Sequence, residues 1–404
     1  MDYSKHFLLN TETVKQYVKD KTNIFDGTHV SDLKSKEISD GNINYVYSVA
    51  NSQKSVVVKQ ADNKIRTSGR ELDRHRNVLE YKTLSIEGKL TNDMVPKMYN
   101  YDETMSAIIM EDVSAYKNLR KELHAEKIFP ELAEQISSFM VDALLPTTDL
   151  IFDRHQKKNV VKEFINIDLC DITEDLVLTE PYYNYKNRNT YDSALDDFVK
   201  QNLYENDELK ANVAELRNNF MNNAQALLHG DLHSGSIFIN QNGIKIIDPE
   251  FAFYGPIGYD IGNVIGNLVF PLVVEYSKKE NKNSEFMTWL ENTIEDVFDL
   301  TIKKLYLKYD ELVEFPLYKE RKFENSYISS IIADSLGYAG TEIIRRTVGD
   351  SKVLEITSIT NVEQRNIVSM ALIKIGTDLI LNRKLYSAGN QLISDIAKIS
   401  DSII

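Results

Sequence analysis

The sequence predicts an α+β chain of two lobes: a small lobe built on an antiparallel sheet and a large lobe that is mainly α-helical. Three observations carry this expectation. Short β-branched and aromatic runs with period-two alternation crowd the first 110 residues. From residue 116 onward the apolar residues recur at helical spacing. One hairpin pattern, SIFINQNGIKII, interrupts those helices, and the tripeptides HGD and DPE flank it.

Taken in order, residues 10–20 (NTETVKQYVKD) predict an amphipathic helix, with Thr11 or Thr13 as cap and Val14, Tyr17 and Val18 on one face. The stretch SDGNINYVYSVANSQKSVVVKQA reads as strand, turn, strand. Ile43, Tyr45 and Tyr47 alternate with Asn44, Val46 and Ser48, NSQK turns, and SVVVK is β-branched. Residues 70–86 predict a helix with Leu72, Val78, Leu79 and Leu84 inward, and residues 105–111 (MSAIIME) a further strand. Helices follow over 128–145, 206–227, 286–308, 327–346 and 361–382, with NQNG as the turn of the hairpin. The expected organisation is a sheet lobe over 1–110, a hinge over 111–115 and a helical lobe over 116–404. A cleft between lobes is a favoured place for a ligand.

Composition bounds the partners. A chain of 404 residues, 42% hydrophobic and 27% charged, is an ordinary globular protein large enough for two lobes. With 47 basic and 61 acidic residues its net charge is −14, which repels nucleic-acid backbones and anionic lipid. An anionic ligand therefore needs a local cationic site or a metal ion. The apolar runs are too short to cross a bilayer, and the N-terminus lacks the pattern of a secretion signal. Cys170 is the single cysteine, so no internal disulfide forms, in keeping with a reducing cytoplasm.

The chemistry concentrates in LHGDLHSGSIFINQNGIKIIDPEF, residues 228–251. The hairpin returns the chain to its start, so Asp231 and Asp248 come to one end of it, with Glu250 close behind. Close carboxylates repel unless a proton or a cation relieves them. Mg²⁺ is held by one or two carboxylates together with substrate phosphates. Phosphoryl transfer needs both that ion and a carboxylate that orients a hydroxyl. HGD or DPE alone is ordinary turn chemistry, and only their combination argues for a site. His229 and His233 lie four apart, but Gly230 between them and the absence of a helical Glu disfavour zinc, so His229 is expected to brace the loop. Neither GxxxxGK[ST] nor GxGxxG occurs. Lys59 ends a strand, where it can reach phosphate oxygens, and Glu80 on the next helix can pair with it.

The order of SDGN loop, VVVK strand, RNVLE helix, MEDV connector, HGDLH loop and DPE resembles the protein-kinase-like fold of aminoglycoside phosphotransferases and choline kinases. DGNINYVY, DLCDITEDLVLTEPYY, HGDLHSGS, DPEFAFYGPIGYDIGN and GYAGTEIIRRTVG make the resemblance closer to the S-methyl-5-thioribose kinases of methionine salvage, over nearly the whole chain. It implies ATP and Mg²⁺ as cofactors and a homodimer. It makes Asp231 the catalytic carboxylate that orients the sugar hydroxyl, and Asp248 and Glu250 the metal ligands, with Ser236 where protein kinases carry a metal-binding asparagine. It gives Lys59 the nucleotide phosphates, with Glu80 steadying it, and the backbones of Glu111 and Val113 the adenine. Asp40, Gly41 and Asn42 would form the loop over the phosphates, and Arg345 and Arg346 would reach substrate. Adjacent helix residues point about 100° apart, so one arginine is expected in the site and the other partly structural.

The resemblance implies phosphorylation of the anomeric hydroxyl of methylthioribose. Two readings compete with it. One is a kinase of the same fold for another small alcohol, such as choline, an aminoglycoside or a different thiosugar; the IIRR segment disfavours a cationic substrate. The other is a nucleotide-binding pseudokinase, against which Lys59, Asp231 and Asp248 all stand.

Overall fold

The computed structural model describes residues 1–38, 44–64 and 71–404. Helix α1 (Thr13–Lys21) precedes β1 (Lys34–Glu37), β2 (Tyr45–Ala50) and β3 (Ser55–Gln60); α2 (His75–Leu90) then leads to β4 (Met98–Asp102) and β5 (Ala107–Glu111). These strands form one antiparallel sheet in the order β1-β2-β3-β5-β4. Strand alternation sorts its two faces. Val56 and Val58 pack with Tyr47, Val49 and Ile109 against Val14, Tyr17 and Val18 of α1. Val57, Ile108 and Met110 form a second cluster on the other face, and alternation puts Lys59 on that same side. The cap of α1 differs from expectation: the Asn10 side chain, not Thr11 or Thr13, accepts the amides of Glu12 and Thr13 at 2.9 Å each. Strands β1 and β4 had no clear alternating signal in the sequence.

The chain then runs through β6 (Lys117–Asn118), α3 (Leu119–His124), α4 (Leu132–Leu144), α5 (Arg154–Glu163) and α6 (Ile167–Leu176). The short α7 (Glu180–Tyr183) and α8 (Asp196–Val199) lead into α9 (Asp207–Asn222). The helix expected over 206–227 stops at Asn222, because Ala226–Leu228 is a strand, β7. The predicted hairpin is β8 (Ile237–Asn240) and β9 (Gly243–Ile246), and β10 (Phe253–Gly255) pairs back onto β7. Then come α10 (Gly258–Ser277), α11 (Ser284–Leu312), α12 (Arg321–Val348), α13 (Leu354–Thr357), α14 (Val362–Leu381) and α15 (Gly389–Asp401).

This is the protein-kinase-like α+β fold: an antiparallel sheet lobe followed by a larger helical lobe. Helix α10 was not expected, because it is buried on nearly every side and shows no amphipathic stripe. It packs on α12 at very short range. A Cβ on Gly262 would lie 2.4 Å from the Ser335 carbonyl oxygen, so glycine is what lets the two backbones approach. That crossing sets side chains of α10 and α12 directly behind the loop that follows β7.

Candidate active site

Strand β7 delivers His229, Gly230 and Asp231 to the interface between the lobes. His229 is fully buried; its Nε2–H donates to the Ile247 carbonyl at 2.9 Å, and its Nδ1 accepts the Asp231 amide at 3.3 Å. One neutral tautomer satisfies both bonds, and burial pulls the imidazole down to about 4, keeping it neutral. It thus joins the HGD segment to the DPE segment, the bracing role expected for it. The Asp260 carboxylate, in the first turn of α10, accepts the amides of His229 at 2.7 Å and Gly230 at 3.0 Å. Burial lifts that carboxyl to about 7. Gly230 has φ +81°, and a Cβ there would meet the Phe251 carbonyl oxygen at 2.3 Å, so both conformation and space demand glycine.

Asp231 is partly exposed, at 28% of its side chain. His233 Nε2 lies 3.3 Å from its Oδ2, while His233 Nδ1 accepts the Gly235 amide at 3.0 Å. Burial raises the Asp231 carboxyl, but His233, Arg346 and Arg345 more than offset it and hold it well below the usual carboxylate range. It is therefore an anion at neutral pH, a strong acceptor for a hydroxyl and a poor bulk base. That suits phosphoryl transfer, where orienting the nucleophile matters more than early proton removal. The Ser236 hydroxyl donates to the Asp231 carbonyl at 2.9 Å and is buried. Its proton is committed to closing the loop, which leaves only an oxygen lone pair for any metal contact.

Lys59 is buried between the lobes. Its ammonium contacts Glu80 Oε1 at 2.8 Å and also Asp248 Oδ1. Burial opposes its charge, yet Asp248, Glu80 and Glu250 raise its pKa above the ordinary lysine value. Glu80 is wholly buried, and burial lifts it to about 8 despite Lys59. Asp248 sits at φ +67°, a left-handed conformation uncommon outside glycine and costly enough to be typical of functional sites. Glu250 Oε2 accepts Asn44 Nδ2 at 3.0 Å and lies 3.6 Å from Arg76 Nε; Arg76 Nη2 in turn donates to Asn44 Oδ1 at 3.0 Å. Asp248, half-exposed, and Glu250 thus offer carboxylate oxygens beside Lys59 and Arg76, and oxygen ligands suit a hard divalent ion. Among the described residues, no group of three His, Cys, Asp or Glu forms a protein-only cage. Asp248 and Glu250 are the residues that could hold such an ion, and phosphate oxygens would have to complete its shell.

On the far side, α12 presents Arg345 and Arg346. Glu342 pairs with both, its Oε2 at 2.5 Å from Arg345 Nε and its Oε1 at 3.0 Å from Arg346 Nε. Spacings of three and four residues straddle one carboxylate, so Glu342 reaches both arginines although they are adjacent on the helix. Both hold Asp231 down, and Arg346 also donates to Ser351 Oγ at 3.0 Å. Arg120, on α3, adds a third, partly buried guanidinium that the sequence reading missed; its Nε donates to Ser234 Oγ at 3.2 Å. Asn44, Arg76, His233 and Asp260 were missed likewise. The signal for Glu342 was present in TEIIRR: an acid three and four residues before two arginines.

At the connector, Glu111 Oε2 accepts the Lys97 amide at 3.0 Å and Lys245 Nζ at 3.1 Å, while the Val113 carbonyl accepts the Tyr116 amide at 2.9 Å. Glu111 ends β5 directly after Met110 of the apolar cluster of Val57, Ile108 and Met110. Asp40, Gly41 and Asn42 lie outside the described residues.

Comparison with known proteins adds the following. Residues 34–281 match the model of the phosphotransferase enzyme family. A methylthioribose kinase of Geobacillus sp. is 35% identical over 370 residues, covering 91% of this chain and 90% of the relative. One from Escherichia coli is 34% identical, covering 87% and 88%. Among solved structures, a choline kinase from Cryptosporidium parvum overlays with a TM-score of 0.46 at 13% identity, covering 97% of this chain and 96% of that one. A Plasmodium vivax ethanolamine kinase overlays with 0.47 at 13% identity, covering 90% and 86%.

Proposed function

We infer the activity of this chain from its family: it belongs to the phosphotransferase enzyme family and, within it, to the methylthioribose kinases. It transfers the γ-phosphoryl group of ATP to the anomeric hydroxyl of 5-methylthioribose, giving S-methyl-5-thio-α-D-ribose 1-phosphate and ADP, a step of methionine salvage. The observation that carries the site assignment is the pairing of an anionic Asp231, flanked by His233, Arg345 and Arg346, with a buried Lys59 held between Glu80 and Asp248.

In the mechanism we propose, residues 1–110 and 116–404 close on the nucleotide about a hinge at 111–115, and the backbones of Glu111 and Val113 hydrogen-bond adenine. Asp40, Gly41 and Asn42 cover the phosphates. Lys59 neutralises phosphate oxygens, with Glu80 fixing its position. Asp231 accepts the hydrogen bond of the anomeric hydroxyl, aims its lone pair at the γ-phosphorus and takes its proton as the new bond forms. Arg345 and Arg346 meet the charge on the transferring group, where preorganised cations outweigh mobile water. Asp248 and Glu250 would hold Mg²⁺, which would supply positive charge to offset that of the phosphates.

We also propose that the enzyme works in the cytoplasm as a homodimer. The single cysteine agrees with the first, as does the finding that no described helix is long and apolar enough to cross a membrane. Family resemblance alone supports the second, and sedimentation velocity tests it. The activity is tested by coupled ADP detection with Mg²⁺ and 5-methylthioribose beside choline, an aminoglycoside and ribose. Turnover with the thiosugar is expected. Turnover with another alcohol alone would overturn the substrate, and ATP binding without any turnover would favour a pseudokinase.

A further inference from the structure

Asn267 and Glu342 stand where three elements meet. Glu342 is 1% exposed, and each of its oxygens holds one of the two arginines. Its Oε1 also accepts Asn267 Nδ2 at 3.1 Å. Asn267, equally buried on α10, uses its Oδ1 to accept Ser234 Oγ at 3.1 Å and Arg120 Nη2 at 3.1 Å. The Arg120 amide donates to the Ser234 carbonyl at 3.1 Å. Ser234 lies three residues after Asp231, in the same turn that His233 braces. The glycine-mediated approach of α10 and α12 is what brings the two side chains together, Asn267 directly after Gly266 and Glu342 three residues beyond Ala339, whose carbonyl oxygen a Cβ on Gly266 would meet at 3.0 Å.

A buried amide with every polar atom engaged, set against a buried carboxylate, is costly to assemble unless complete. Packing alone would be met as well by apolar residues. The connection runs without a break from the two guanidiniums, through Glu342 and Asn267, to Ser234 and Arg120 behind the Asp231 loop. We propose that Glu342 and Asn267 are positioning residues for phosphoryl transfer: together they fix the two arginines of α12 in register with Asp231, so that the cations and the hydroxyl-orienting carboxylate address the same reacting group. This rests on the kinase reading above.

The test is steady-state kinetics of the full-length enzyme with ATP and 5-methylthioribose, with thermal melts alongside. Glu342→Gln keeps the shape but loses the charge that clamps both arginines. Asn267→Asp keeps the oxygen used by Ser234 and Arg120 and cuts the link to Glu342, together with the bond that the same Nδ2 donates to the Asn263 carbonyl of its own helix at 2.9 Å. Each is expected to lower kcat on the order of a hundredfold, the scale of losing one preorganised group from a transition-state site, with KM for ATP unchanged. The double variant should be no slower than the slower single variant, since both cut one connection. Single variants that retain kcat within about twofold would overturn the inference, as would kcat losses that multiply in the double variant. A loss that follows ATP affinity and melting temperature in proportion would reduce the pair to structural support and overturn it too. If the parent enzyme makes no ADP with the thiosugar, the kinase reading falls and this inference falls with it; an active parent with unaffected variants sinks this inference alone.

Discussion

Replacing His229 with Gln tests whether a neutral imidazole holds the two halves of the catalytic segment together. Gln places an N–H near the former Nε2 and can keep the bond to the Ile247 carbonyl, but it does not titrate. In the folded protein His229 is pulled from 6.5 to about 4 by burial. A histidine depressed on folding contributes stability that is present in full above the unfolded value and is lost as pH falls from there toward the folded one. At pH 5 the unfolded chain sits about 1.5 pH units below its histidine value and binds the proton, while the folded protein barely does. At 1.36 kcal/mol per unit, the parent should lose about 2 kcal/mol of stability from this residue between pH 7.5 and pH 5. Urea unfolding at the two pH values measures it. The parent's loss should exceed that of His229→Gln by about that amount, with all other titrating groups common to both. Equal losses in the two proteins would refute the reasoning, because a buried neutral His229 cannot avoid this linkage.

Three further outcomes follow from the site. Asp231→Asn should bind ATP normally, measured by calorimetry, and lose turnover by about 10²–10⁴-fold. Gly230→Ala should cost at least about 1–3 kcal/mol in urea unfolding, because the new Cβ meets the Phe251 carbonyl in a left-handed backbone; an unchanged midpoint would mean that the loop shifts at no cost. Glu250→Gln should raise the Mg²⁺ concentration needed for half-maximal rate, and an identical titration would remove Glu250 from the metal site.

The sequence was most legible where chemistry is local. Strands β2, β3 and β5, the hairpin of β8 and β9, and the paired tripeptides each carry their signal within a few residues. The pair of Lys59 and Glu80 was also readable, since strand and helix follow one another in the chain. What failed was read through the wrong cue. The helix expected over 206–227 took in Ala226 and Leu227, whose apolarity serves a three-residue strand, Ala226–Leu228, paired to β10. Helix α10 was missed because its glycines and Pro271 argue against a helix in isolation. Those glycines are favourable only because Ser335 and Ala339 of α12 press against them, a fact no window of local sequence contains.

The same logic governs the arginines. A net charge of −14 suggests a surface hostile to phosphate, yet Arg120, Arg345, Arg346 and His233 all gather about Asp231. Average charge sets long-range repulsion, which salt screens within about 10 Å. A phosphoryl group bound in the cleft is governed by the nearest groups instead. Glu342 neutralises only one of the two guanidiniums that it holds. In the mechanism proposed above, with Asp231 on the hydroxyl, the surplus positive charge would be directed at the transferring phosphoryl from wherever Glu342 and Asn267 hold the two side chains. The spacing of Glu342 before the two arginines is a cue that the sequence reading did not use, and the crossing of α10 and α12, which ties this acid to the loop after Asp231, lies in no local window of sequence.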